Sequence, residues 1–465
     1  MTSEQQKRER SALIVATVTS FMGPFMISAV NVALPTIQRD FSATAVSLSW
    51  IATSYLLAIA VFAVPLGRIA DIHGRKKIFL WGLYLFTASS FLTAFAWSVT
   101  SMIILRVGQG AGTAMMVTTG MAIITSIFPP QRRGKAIGIY VSAVYIGLSC
   151  GPFAGGFLTE QFGWQSIFFL VAPIGVFSIV VTLVFLKGEW ADARGEQFDI
   201  SGSILYAVAL ILLIYGAGRL PGWTATGLIT AGILSLGAFI RQELRVDAPV
   251  FDVRLFSDNK LFAFSSFAAM INYAATYAVT FLLSLYLQYI KGMSPQSAGS
   301  ILIFQPVCMA LFSPFAGKLS DRIEPRYIAS AGMAITAIGL GVLGAAGTDT
   351  PLYIFMGTLT ALGIGFALFS SPNMNAIMGS VQKKHYGIAS GTVSTMRLLG
   401  QMVSMATATM VFNLFIGDAL ITPEIFGGFM KSYRTCLIIF VGLCVAGTFF
   451  SMFRGELRVS GENEK

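Results

Sequence analysis

Two arginines stand inside stretches of the sequence that are otherwise apolar. Arg106 lies a little way into the run 101–128, and Arg397 lies deeper in the run 386–416. A guanidinium within a bilayer is costly unless it meets water, a partner or an anion, and its planar fork suits a carboxylate or a phosphate. Snorkelling to the nearer interface is an alternative for Arg106. Arg397 is closer to mid-depth, where snorkelling explains less.

Amides and a phenol accompany these cations at membrane depth: Asn31, Tyr55, Gln109, Asn272, Gln305, Asn373, Asn375 and Gln401. Each can tie helices together or touch a ligand. No carboxylate or imidazole joins them, because all 21 acidic residues fall in connections or at helix ends and His73 and His385 lie in connections. Deep charge is therefore positive, so the expected substrate is anionic or neutral-amphipathic rather than a lipophilic cation. No catalytic residue is assigned, since a nucleophile with a base, a carboxylate pair and a metal cluster are all missing at depth. The four cysteines sit in apolar runs without metal-ligand spacing, and no nucleotide loop G-x-x-x-x-G-K-[ST] occurs. Neither an enzyme, a metal site nor a primary pump is expected, and no cofactor is required.

A second group of residues suits movement rather than binding. Gly147, Gly151 and Gly155 recur every four residues, so one helix face is open to close approach, while Pro152 interrupts the backbone ladder beside it. Gly67, Asp71, Gly74, Arg75 and Lys76 form a short connection in which a carboxylate can accept bonds from arginine or from a helix N-terminus. Such a clasp holds one side shut and breaks on opening. GKLSDRIEPR at 317–326, with Asp321, echoes GRIADIHGRKK at 67–77.

These residues have to be carried by membrane helices. Of the 465 residues, 55% are hydrophobic and 11% charged, with a mean hydropathy of +0.74; soluble domains carry roughly 25% charged residues. The net charge of +10 reads as basic loops on one membrane side, not as nucleic-acid binding. At about twenty residues per crossing, helices are expected over 11–36, 46–66, 78–97, 101–128, 134–159, 164–187, 199–217, 223–241, 260–290, 297–317, 327–347, 351–378, 386–416 and 434–454. Alternate connections and both termini hold 24 of the 31 Lys and Arg residues, which predicts cytoplasmic termini. The expected divisions are a tail at 1–10, a six-helix bundle at 11–187, a two-helix insert with charged flanks at 188–259, a second six-helix bundle at 260–454 and a tail at 455–465.

The chain resembles the major facilitator superfamily, and within it the fourteen-helix drug:proton antiporter branch. Gly67, Ala70, Asp71, Gly74, Arg75 and Lys76 are similar to the loop signature G-x-L-a-D-r-x-G-r-k, with Ile72 in place of a basic residue. Arg106, Gln109, Gly110, Gly112 and Ala114 resemble R-x-x-q-G-x-g-a-a, and Gly138, Gly147, Gly151, Pro152, Gly155 and Gly156 resemble the fifth-helix antiporter signature. FDISG at 198–202, NVALP at 31–35 and the run from Gly387 to Gly400 are also similar to that branch, whereas Met26 stands where it usually has an acid.

The resemblance implies an all-α integral membrane fold, with two six-helix bundles in pseudo-two-fold symmetry plus a two-helix insert. It implies a plasma-membrane monomer that exports small amphipathic or drug-like molecules by alternating access, driven by a proton gradient. The other functions weighed are symport or exchange of an organic anion through Arg106 and Arg397, and a non-transporting scaffold or receptor.

Overall fold

A computed structural model describes residues 3–246, 249–251, 253–381 and 386–456. Lys383, Lys384, His385 and most of the expected tail at 455–465 therefore lie outside the described residues. Among those described there is no strand. Helices run in the order α1 (Ser3–Phe41), α2 (Ala45–His73), α3 (Arg75–Thr93), α4 (Val99–Ile127), α5 (Pro130–Phe162), α6 (Gln165–Phe185), α7 (Ile200–Gly218) and α8 (Trp223–Glu243). A short α9 (Arg254–Asp258) follows, then α10 (Lys260–Leu285), α11 (Pro295–Leu302), α12 (Phe304–Ser320), α13 (Pro325–Ala345), α14 (Leu352–Gly379), α15 (Tyr386–Phe415) and α16 (Phe426–Phe453).

Long apolar runs make these helices, and small polar residues start them. Thr44 accepts from the Ser47 amide at 3.2 Å, Ser98 from the Ser101 amide at 3.1 Å and Asn259 from the Phe262 amide at 2.9 Å. Gly74 turns the chain between α2 and α3 at φ +118°, a value that side-chain-bearing residues rarely adopt. Thirteen spans among the described residues are long and apolar enough to cross a membrane. The fourteenth, α3, opens on Arg75, Lys76 and Lys77, which leaves a shorter apolar run inside it.

Two expectations change in detail. The span expected as one helix at 297–317 is α11 and α12, meeting at Ile303. Pro306 has no amide proton for the Leu302 carbonyl and its ring would strike that group, so the break falls where the chemistry requires it. The span expected at 260–290 ends in a π-helical turn over Tyr286–Ile290.

The chain forms two compact units. One comprises Met1–Leu213, Gly227–Val250 and Ser294–Gly299, the other Ile214–Thr226, Phe251–Met293 and Ser300–Lys465. Each is built on glycine crossings, and the crossings repeat. In the first unit Gly110 of α4 rests on the Tyr55 carbonyl of α2, while Gly112 rests on Gly82 and Phe86 of α3, where an added Cβ would come 2.6 Å from the Phe86 amide. In the second, Gly363 of α14 rests on the Gln305 carbonyl of α12, and Gly365 on the Gly332 carbonyl of α13. The same G-x-G device thus fixes the corresponding helix triplet in each unit.

Candidate functional site

The first unit contains a buried polar cluster at the α2–α3–α4 crossing. Arg106 is 1% exposed and its Nη1 donates to Gln109 Oε1 at 2.6 Å. Its Nε donates to the Ile51 carbonyl at 3.3 Å, and its guanidinium lies 4.2 Å from the centre of the Tyr55 ring. Gln109 Nε2 in turn donates to Ser90 Oγ at 2.7 Å, and Tyr55 Oη and Thr113 Oγ1 are 2.8 Å apart. A charge with a carbonyl, an amide oxygen and a π-face has its solvation largely replaced. Arg106 therefore presents no open face in this structure. Ser90 and Thr113, which complete the cluster, gave no signal in the sequence because serine and threonine are common in membrane helices.

The α2–α3 connection forms a second cluster. Arg75 donates from Nε to Asp71 Oδ1 at 2.7 Å, pairs through Nη1 with Asp192 at 2.7 Å and donates from Nη1 to Ser126 of α4 at 2.7 Å. The segment after α6 is strapped over this connection. Backbone bonds run from the Arg75 amide to the Trp190 carbonyl and from the Ala193 amide to the Asp71 carbonyl, and Arg68 pairs with Glu196. Glu189 accepts from the Lys76 and Lys77 amides at 2.7 and 3.2 Å, so its carboxylate sits on the N-terminus of α3. In the sequence Glu189, Asp192 and Glu196 stand only as acids in the charged flank of the insert expected at 188–259. Replacing Glu189 by alanine is expected to speed amide exchange at Lys76 and Lys77 severalfold while leaving exchange within α4 unchanged, which hydrogen-exchange mass spectrometry would read.

On α5 the glycines do different things. Gly147, Gly151 and Gly155 press onto α1: an added Cβ would fall 2.5 Å from the Phe21 carbonyl oxygen at the first and 2.6 Å from Ala29 Cα at the last. Gly156 and Pro152 instead abut the start of α11, against Pro295 and Gly299, within the same unit. Glu160 accepts from the Gln296 amide there at 3.0 Å. Gly138 has nothing within 4 Å, and Gly67 makes only ordinary contact with Thr118.

In the second unit, Asn373 Nδ2 donates to the Ser265 carbonyl at 3.0 Å and its Oδ1 accepts from Arg454 at 2.7 Å. Arg454 is 1% exposed. Asn375 Nδ2 donates to Ser320 Oγ. Asn272 is fully buried, with neither side-chain polar atom bonded to a described residue. Asn31 and Gln305 are buried, Asp321 ends α12 exposed, and Arg397 and Gln401 are half-exposed on α15.

A sequence profile of the Major Facilitator Superfamily matches residues 16–239 and 265–465. The riboflavin transporter RibZ of Clostridioides difficile (strain 630) is 31% identical, over 96% of this chain and 98% of its own. The multidrug resistance protein Stp of Mycobacterium tuberculosis (strain CDC 1551 / Oshkosh) is 31% identical over 88% and 77%. Among solved structures, a D-xylose-proton symporter superposes with a TM-score of 0.70 at 14% identity, over 96% of this chain and 98% of that one. A profile match over most of the chain, together with relatives above 30% identity along nearly its whole length, establishes the family: the chain belongs to the Major Facilitator Superfamily and is a multi-pass membrane transporter, not an enzyme.

Proposed function

We propose that this transporter is a proton-coupled efflux antiporter of small amphipathic, drug-like molecules. It works by alternating access between six-helix bundles at 11–187 and 260–454, with 188–259 as a two-helix insert. It acts as a monomer in the plasma membrane with both termini cytoplasmic. The observation that carries this reading is the glycine face of α5, seated backbone against backbone on α1, with Pro152 and Gly156 against the start of α11. Such surfaces let helices slide with little change in packing energy, which a static anchor does not need. The drug-resistance relative supports export.

The Asp71–Arg75–Asp192 cluster is the gate in this reading, and Glu160 on the α11 N-terminus is a second latch. Proton coupling rests on the resemblance to the drug:proton antiporter branch, with Asp71, Glu160, Asp321 and His73 better explained as gate or loop residues. The test is purified protein in vesicles with an imposed pH gradient, a panel of fluorescent amphipathic dyes outside and a pH indicator in the lumen. Dye movement accompanied by opposite proton movement, both lost on adding an uncoupler, is the expected result. Dye flux that ignores the gradient would overturn proton coupling.

A further inference from the structure

We infer that Arg397 is the anchor for an anionic group of the substrate, and that the transported class is an aromatic or planar organic anion. This rests on the transporter reading above and names the chemistry of its site.

Arg106, Arg397 and Arg454 differ in one respect. Arg106 is saturated by Gln109, Ile51 and the Tyr55 ring, and Arg454 is held by Asn373. Arg397 has no hydrogen-bond, ion-pair or ring partner among the described residues. It is also half-exposed although it lies well inside a 30-residue helix. Its neighbours on the helix face agree with it. Ser390, Ser394, Arg397 and Gln401, spaced four, three and four apart, are all half-exposed, while Ser404 and Ala408 further along the same face are fully buried. A stripe of two hydroxyls, a guanidinium and an amide cannot face lipid tails at that depth without heavy cost, so it faces an aqueous vestibule that closes above Gln401.

Beside the stripe is apolar and aromatic surface. Gly400, one turn from Arg397, lies against the Met270 carbonyl and 2.9 Å (as an added Cβ) from the Tyr273 Cβ of α10. Met270 and Tyr273 are themselves half-exposed, and the Tyr273 ring stands edge-on to Phe366 at 5.3 Å. A guanidinium fork next to a half-exposed phenol and a thioether suits a ring system bearing a carboxylate, sulfonate or phosphate. Among the described residues no acid pairs with Arg397 to compete for it.

The test uses two dyes of one xanthene skeleton, anionic 5-carboxyfluorescein and cationic rhodamine 6G, with purified protein in vesicles for flux and in detergent for equilibrium binding. The proposal expects carboxyfluorescein to be bound and moved by the wild type. Arg397→Ala should raise its Kd and KM at least tenfold, Arg397→Lys should recover part of the loss, and rhodamine 6G handling should change in neither variant. Because Arg397 has no partner to orphan among the described residues, both variants should unfold at the wild-type temperature. Binding through Arg397 without movement of either dye upholds the site and removes the transport reading instead. Wild-type protein that moves rhodamine 6G and neither binds nor moves carboxyfluorescein overturns the anion class and leaves transport standing. Arg397→Ala that slows both dyes equally at unchanged Kd overturns the contact and makes Arg397 part of the conformational cycle.

Discussion

Arg106→Leu alone is expected to lower thermal stability clearly, and the double variant Arg106→Leu/Gln109→Leu to regain most of that loss while remaining at least a hundredfold slower in transport. The expectation comes from the repeated crossing. Counting back from the glycines that touch the second helix of each unit, Gly110 and Gly363, the places of Arg106 and Gln109 are taken in the second unit by Leu359 and Leu362. Both leucines are buried, at 0% and 1% exposure. Packing of the triplet therefore does not require a charge, and the second unit manages with two apolar side chains. Removing only the guanidinium leaves Gln109 Oε1 without a donor in a dry crossing, at about 1–3 kcal/mol, whereas the Ile51 carbonyl keeps its place in the α2 ladder and the Ser54 hydroxyl. Removing the amide as well takes away the main orphan, although Ser90 Oγ loses the donor it has from Gln109. In the reading proposed above, the charge that stands where leucine would pack serves the transport cycle. Thermal unfolding in detergent measures the first half of the expectation and vesicle flux the second. Equal stability of the single and double variants would show that Gln109 does not depend on Arg106, and wild-type flux in the double variant would make the cluster ornamental.

Much of this architecture is legible in the sequence, and what is not has a physical reason. Helix number and depth follow from apolar runs, and the α11–α12 break was available in Pro306, although hydropathy alone runs the two together. The glycine contacts could be anticipated as a face but not assigned a partner, since spacing on α5 says nothing about which helix arrives. Gly138 shows the limit, belonging to the signature by spacing yet facing nothing within 4 Å. The two deep arginines differ in sequence only by depth, and only the fold separates a saturated Arg106 from an Arg397 with no partner among the described residues. The difference lies in groups contributed by α2 and α3, namely the Ile51 carbonyl, the Tyr55 ring and Ser90, which no spacing on α4 encodes. The echo between GRIADIHGRKK and GKLSDRIEPR is visible in the sequence, whereas the G-x-G echo at 110–112 and 363–365 acquires meaning only once each glycine is seen on its carbonyl.

Glycine-to-alanine changes on α5 should divide according to what lies opposite each position. At Gly155 an added Cβ meets Ala29 Cα at 2.6 Å and the Ala29 carbonyl oxygen at 2.9 Å, so backbone must move away from backbone. A packed crossing resists this, and overpacking costs about 1–3 kcal/mol, while loss of the sliding surface should reduce transport at least a hundredfold. Ala29→Gly should not rescue it, because the Cα and the carbonyl remain. At Gly151 the nearest atom is the Ser28 Cβ, with the Ala29 amide nitrogen further off at 3.2 Å. Gly151→Ala should therefore be comparably damaging alone and largely rescued by Ser28→Gly, which removes the obstructing atom along with the hydroxyl that donates to the Leu148 carbonyl at 3.1 Å. Gly138→Ala supplies the control. With open space around it, the substitution should leave flux unchanged and stabilise the helix by up to about 1 kcal/mol through intrinsic propensity. Flux in vesicles and unfolding temperature in detergent, measured on the five variants together, decide the matter. Rescue at 151 without rescue at 155 ties transport to the α1–α5 backbone contact, whereas equal tolerance at 138, 151 and 155 would show that α5 does not rely on close approach at all.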